Sequence, residues 1–110
     1  LVVATPDGVC AVAARRARES LLDCGVQEQR LVINRFSAAQ FRAAQFFADL
    51  DAVIDAAGIQ LIAVIPEDSQ LQTAAARALP PADCPAALAF GRLALRLEGC
   101  TVPLPSLRKF

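Results

Sequence analysis

Three short polar runs follow apolar stretches at places where chemistry is possible. Thr5-Pro6-Asp7 follows Leu1-Val2-Val3-Ala4, Asn34-Arg35 follows Leu31-Val32-Ile33, and Pro66-Glu67-Asp68 follows residues 59–65. An Asn side chain sets a donor beside an acceptor, which matches a purine edge. The backbone around Pro66 and Glu67 adds contacts for a flat base. The same residues have plainer uses. Asn34 suits an Asx turn that ends a strand, and Glu67 and Asp68 suit simple capping of the next helix.

The elements that must carry these runs follow from pattern. Residues 59–65 are apolar on both faces, as in a central parallel strand covered on both sides. Pro66 has no N–H to give to a ladder, so the strand ends there, and Asp68-Ser69 begins a helix. Leu1-Val2-Val3-Ala4 reads as a first strand and residues 30–35 as a second. Between them, residues 9–23 are helical, with Val9, Val12, Ala13, Ala17, Leu21 and Cys24 expected on the buried stripe. Gly25 stops that helix.

Two shorter helices follow the second strand. The first, 38–48, has Ser37 as its cap and carries Phe41, Phe46 and Phe47. Adjacent Phe46 and Phe47 cannot both face one core, so one meets a neighbour or a partner chain. Asp49 and Asp51 favour the start of the next helix, whose buried side is Val53, Ile54 and Ala57. Residues 69–79 form a further helix with Leu71, Ala74, Ala75 and Ala78 inward, broken by Pro80-Pro81. Pro85 opens the last one, with Ala86, Phe90, Leu93 and Leu97 inward. The order β-α-β-α-α-β-α-α implies right-handed crossovers and a parallel sheet. In such sheets ligands bind beyond the carboxyl ends of the strands. Pro6, Asn34 and Pro66 should therefore share one rim and form a shelf for a purine ring. Three strands leave an edge unpaired, so this reads as half of a doubly wound fold.

Composition narrows the function. Hydrophobic residues make up 55% of 110, but no apolar run reaches the roughly 18 residues that cross a bilayer. No charged segment followed by an apolar signal core occurs in these residues, so secretion is not expected. Zero formal net charge and few aromatics argue against a nucleic-acid surface. The four cysteines contain no C-x-x-C pair and His is absent, which disfavours zinc and excludes Ser-His and Cys-His catalysis within this segment. Reduced, mostly buried thiols of a cytosolic protein are expected. Arg15, Arg16 and Arg18 read as a solvated helix face. The chain begins at Leu1 inside an apolar run and holds no Met, so it reads as a C-terminal piece.

Taken together, L-V-V-A-T-P-D, L-V-I-N-R, D-A-V-I-D-A-A-G-I-Q-L-I-A-V-I-P-E-D and A-F-G-R-L-A-L-R-L-E-G resemble the C-terminal half of MinD-like ATPases. These belong to the deviant P-loop class that includes ParA-type partition proteins. The resemblance spans nearly the whole chain. It implies a three-layer Rossmann-like parallel sheet and a cytoplasmic, ATP-dependent dimerising switch in cell division or positioning, at the inner face of the membrane in MinD itself. By that similarity Asn34 binds the adenine of ATP, Arg35 lies beside it, and Pro66, Glu67 and Asp68 line the base. Mg and the phosphates would be held by the missing N-terminal half. A homodimer and a division or positioning regulator are the implied partners, the latter near the first helix.

The departures are specific. Ala13-Ala14-Arg15-Arg16 stands where MinD carries an Arg-Asp-Ala-Asp run, and the Gly-rich region expected at 36–50 is replaced by Ala, Gln and Phe. No G-x-x-x-x-G-K-[ST] stretch occurs, so nothing cradles phosphates. Three or four hydrogen bonds to a base, about 1 kcal/mol net each, total roughly 4 kcal/mol and give about millimolar affinity. The segment by itself should neither hold ATP usefully nor hydrolyse it. Leu107-Arg108-Lys109-Phe110 is too short to anchor stably in lipid. An α/β interaction module that has lost catalysis is the alternative from another class, and a flavodoxin-like binding domain is a weaker third.

Overall fold

The computed structural model describes residues 1–44, 50–80 and 83–104. Three strands, β1 (Val2–Ala4), β2 (Leu31–Phe36) and β3 (Leu61–Pro66), alternate with helices. These are α1 (Gly8–Asp23), α2 (Ala38–Ala44), α3 (Leu50–Ala57), α4 (Ser69–Ala76) and α5 (Pro85–Leu97). The sheet runs β1-β2-β3 and is parallel throughout. Its register pairs Val3 with Val32 and Ile33 with Val64. The three polar runs thus leave the sheet on one rim, as expected.

Alternation along the strands divides the core in two. Val2, Ala4, Leu31, Ile33 and Val64 pack with Ala11 and Ala14 of α1 and Val53 and Ala57 of α3. On the opposite face Val32, Ala63 and Ile65 pack with Ala86, Ala89 and Leu93 of α5. Helices on both faces of a parallel sheet make three layers.

The helical faces differ from expectation in three places. In α1 the buried residues are Ala11 and Ala14, while Val9 is 82% exposed and Val12 50%. Small residues let the helix approach β1 and α3 closely, and the larger valines are turned outward. In α5 the inward residues are Ala86, Ala89 and Leu93, with Phe90 and Leu97 exposed. Helix α4 buries no residue and ends at Ala76, three positions early. Ala78 there takes a left-handed φ of 53°, and the Leu79 N–H returns to the Ala74 carbonyl at 2.9 Å. Pro80 bars Leu79 from helical geometry, so the chain turns in a Schellman motif.

Of the four thiols only Cys84 is buried; Cys10 is half-buried and Cys24 and Cys100 are exposed. The expectation of mostly buried thiols therefore fails, although all four are free. Phe46, Phe47, Asp49 and the Leu107-Arg108-Lys109-Phe110 end lie outside the described residues. After α5, Arg96 donates to the carbonyls of Val102 (2.9 Å), Pro103 (3.0 Å) and Ile62 (3.0 Å). That guanidinium ties the last described residues to the start of β3. Among the described residues no helix is long and apolar enough to cross a membrane.

Candidate functional site

The carboxyl ends of β2 and β3 open into a cleft of about 410 Å³ that is lined by Asn34, Arg35, Pro66, Glu67 and Asp68, joined by Leu71, Gln72 and Ala75 of α4. All five residues singled out from the sequence meet there. Leu71, Gln72 and Ala75 were not singled out, although a helix begun at Ser69 sets residues three and four apart on one face. That spacing was the available signal.

A register irregularity between Ile33 and Phe36 puts Asn34 at the mouth of the cleft. Arg35 occupies the left-handed region with φ of 56°, a conformation that costs a residue with a Cβ about 1–2 kcal/mol. Such strain collects at functional sites. The bulge frees Asn34 from the role of an Asx turn. Its amide is half-buried, and among the described residues it has no hydrogen-bond partner.

Two carboxylates shape the opposite wall. Glu67 accepts a hydrogen bond from Gln72 Nε2 at 2.8 Å, and the same oxygen lies 3.6 Å from Arg35 Nε. The Arg35 side chain is 65% exposed, so this pair adds under about 1 kcal/mol and mainly sets orientation. Asp68 caps two helices. Its Oδ1 caps α4 through the Gln70 N–H (2.9 Å), and its Oδ2 caps α5 through the Ala86 N–H (3.1 Å). The Ala86 N–H first, and then the Gln70 N–H, hold the Asp68 carboxyl below its usual pKa, against an opposing desolvation. Of the two uses weighed for Asp68 the structure shows the capping, which occupies its oxygens at a position that also lines the cleft.

The shelf expected across Pro6, Asn34 and Pro66 is divided. Thr5, Pro6 and Asp7 border a neighbouring cleft of about 290 Å³ with Ser37, Gln40 and Phe41, and Arg35 and Glu67 stand on the boundary of both. The left-handed turn at Arg35 raises that partition. Asp7 is occupied in its turn as the cap of α1, accepting from the Cys10 N–H at 2.8 Å and from the Thr5 hydroxyl. The Thr5 hydroxyl first, then the Cys10 N–H, lower its pKa.

Chemically the larger cleft can receive a flat, hydrogen-bonding group between an apolar floor and an amide-bearing wall. It contains no nucleophile paired with a base. No group of three or more metal-ligating side chains occurs among the described residues.

Comparison with known proteins places the fold. No family model matches the chain, and no curated protein matches it in sequence. Solved structures do. The MinD cell division protein of Aquifex aeolicus superimposes with a TM-score of 0.84 at 23% identity over 94% of this chain and 44% of its own. A chain of the MinC:MinD cell division protein complex of the same organism gives 0.82 at 23% identity, covering 94% and 43%. The cell division ATPase MinD of Pyrococcus furiosus gives 0.73 at 23%, covering 87% and 40%. The chain spans less than half the length of these structures. It has their fold, a three-layer α/β arrangement on a parallel sheet.

Proposed function

We propose that this chain is the C-terminal, base-binding portion of a MinD/ParA-like nucleotide-binding domain, with Asn34, Arg35, Pro66, Glu67 and Asp68 around the adenine of ATP. The observation that carries this reading is the Asn34 amide, without a partner among the described residues, in a cleft beyond the strand ends, where open α/β sheets take ligands. The residues present fit the base and nothing more. Pro66 and Leu71 offer apolar surface, Asn34 a donor and acceptor, and no Lys or Gly-rich loop here would hold phosphates or Mg. Phosphate binding and hydrolysis then belong to a preceding portion of a longer polypeptide. Asp68 acts by position, since capping uses its carboxylate.

On this reading the complete protein dimerises and meets a division or positioning regulator. The MinC:MinD complex among the similar structures supports that direction. The exposed Val9 and Val12 on α1 favour a second reading, a protein-interaction module without catalysis. Nucleotide binding separates the two. In a longer polypeptide carrying G-x-x-x-x-G-K-[ST] upstream, Asn34→Ala should weaken ATP binding by about 1–2 kcal/mol by calorimetry. Unchanged affinity removes Asn34 from the site.

A further inference from the structure

We propose that Arg96 positions Asn34 and Arg35 from the far rim of the sheet, through two strand irregularities that cancel one another. Leu31 of β2 pairs with Leu61, 30 positions further on. Val32 and Ile33 pair with Ala63 and Val64, 31 positions on, and Phe36 returns to 30 with Pro66. Strand β3 therefore holds an extra residue at Ile62, and β2 takes one back between Ile33 and Phe36. The core faces carry the same signature. Side chains alternate along a regular strand. Here the sequence neighbours Ile62 and Ala63 pack together on the α5 side, and Ile33 and Phe36, three apart, share the other side. The second irregularity contains the left-handed Arg35, which stands between the two clefts.

The first irregularity is fastened from outside the sheet. A bulge leaves its extra residue unpaired in the ladder, and Arg96 Nη1 donates to the Ile62 carbonyl at 3.0 Å. The same guanidinium holds residues 101–104 as a strap, through the carbonyls of Val102 at Nε and Pro103 at Nη2. One planar fork thus fixes the strap and the bulge together. Smoothing the bulge away is not open to the chain. A one-residue slip would turn Ala63, Val64 and Ile65 to opposite faces, and all three are buried where they now lie. Once released, the bulge can only loosen or migrate along β3. The Leu31–Leu61 and Phe36–Pro66 pairs hold both ends of the ladder. Any shift of the first irregularity is therefore absorbed by the second, at Asn34 and Arg35. Arg96 is a positioning residue for these two, and release of the strap is felt in the cleft.

Amide spectra of the ¹⁵N-labelled chain test the relay by comparing wild type with Arg96→Gln, with a chain ending at Cys100, and with Arg92→Gln. In the first two variants the Asn34, Arg35 and Phe36 signals should shift or broaden. The Glu67 N–H, bonded to the Phe36 carbonyl at 2.9 Å, should exchange with solvent at least about fivefold faster, the worth of roughly one hydrogen bond. Arg92→Gln removes an equal charge one turn earlier on α5 and should do neither. Unchanged α1 signals show that a variant folds; if Arg96→Gln does not, the shortened chain decides alone. Changes confined to Ile62, Ala63 and the strap overturn the proposal, as does an equal effect of Arg92→Gln. No ligand is needed, so failure here leaves the base-binding reading as it stands.

Discussion

On one face of the sheet α1 and α3 close over β1 and β2, and Val2, Ala4, Ile33 and Val53 are all buried. On the other, α5 covers β2 and β3, α4 buries nothing, and Val3 of β1 stays 60% exposed. The strands are equally apolar on both sides. The difference therefore lies in what is available to cover them. One face is a closed core, and the other leaves part of its apolar surface open to solvent. Among the described residues β1, a three-residue strand, pairs only with β2, and Leu1 and Val3 are exposed.

The largest expected effect tests this contrast in the two cores. Ile33 and Ile65 are both fully buried, one in each face. Ile33→Ala should cost about 4 kcal/mol by urea denaturation, because the closed face cannot collapse around the cavity. Ile65→Ala should cost about 2–3 kcal/mol, since α4 and the exposed neighbours can relax. Equal losses would erase the distinction. A smaller effect concerns the caps. Asp7→Ala should cost about 1 kcal/mol. Asp68→Ala should lower the urea midpoint further, because one carboxylate serves two helices.

Acid sharpens the same point. Both carboxyl groups have folded pKa values below the usual one, about 3.9 in an unfolded chain. Their contribution is present above that value and disappears as pH falls through the folded pKa. Stability should drop below about pH 4 in wild type and more gently in the double alanine variant. The smallest effect is at Val3. Val3→Glu should change the stability of this chain by less than about 0.5 kcal/mol. In a longer polypeptide where β1 is interior it should be strongly destabilising. A large loss in the chain alone would mean that the face is already covered.

Strand ends were legible because an apolar run stops abruptly at Asn34 and at Pro66, and no other architecture easily satisfies β-α-β-α-α-β-α-α. The rim followed from that. Helical faces were less legible where alanine is abundant: α1 has Ala11, Ala13, Ala14 and Ala17 around its circumference, and counting hydrophobic residues favours the valines. Closeness of approach decided otherwise. The division of the rim into two clefts was hidden because Arg35 is an unusual residue for a left-handed turn.

Arg96 grips Val102, Pro103 and Ile62 near the beginning of β3, whereas the cleft lies past its end at Pro66. Four residue steps along a strand separate the two, roughly 13 Å. A dye or affinity handle attached at Leu104 would be anchored away from the cleft, so the protein can be tethered to a sensor surface by that end with its opening turned toward the solution.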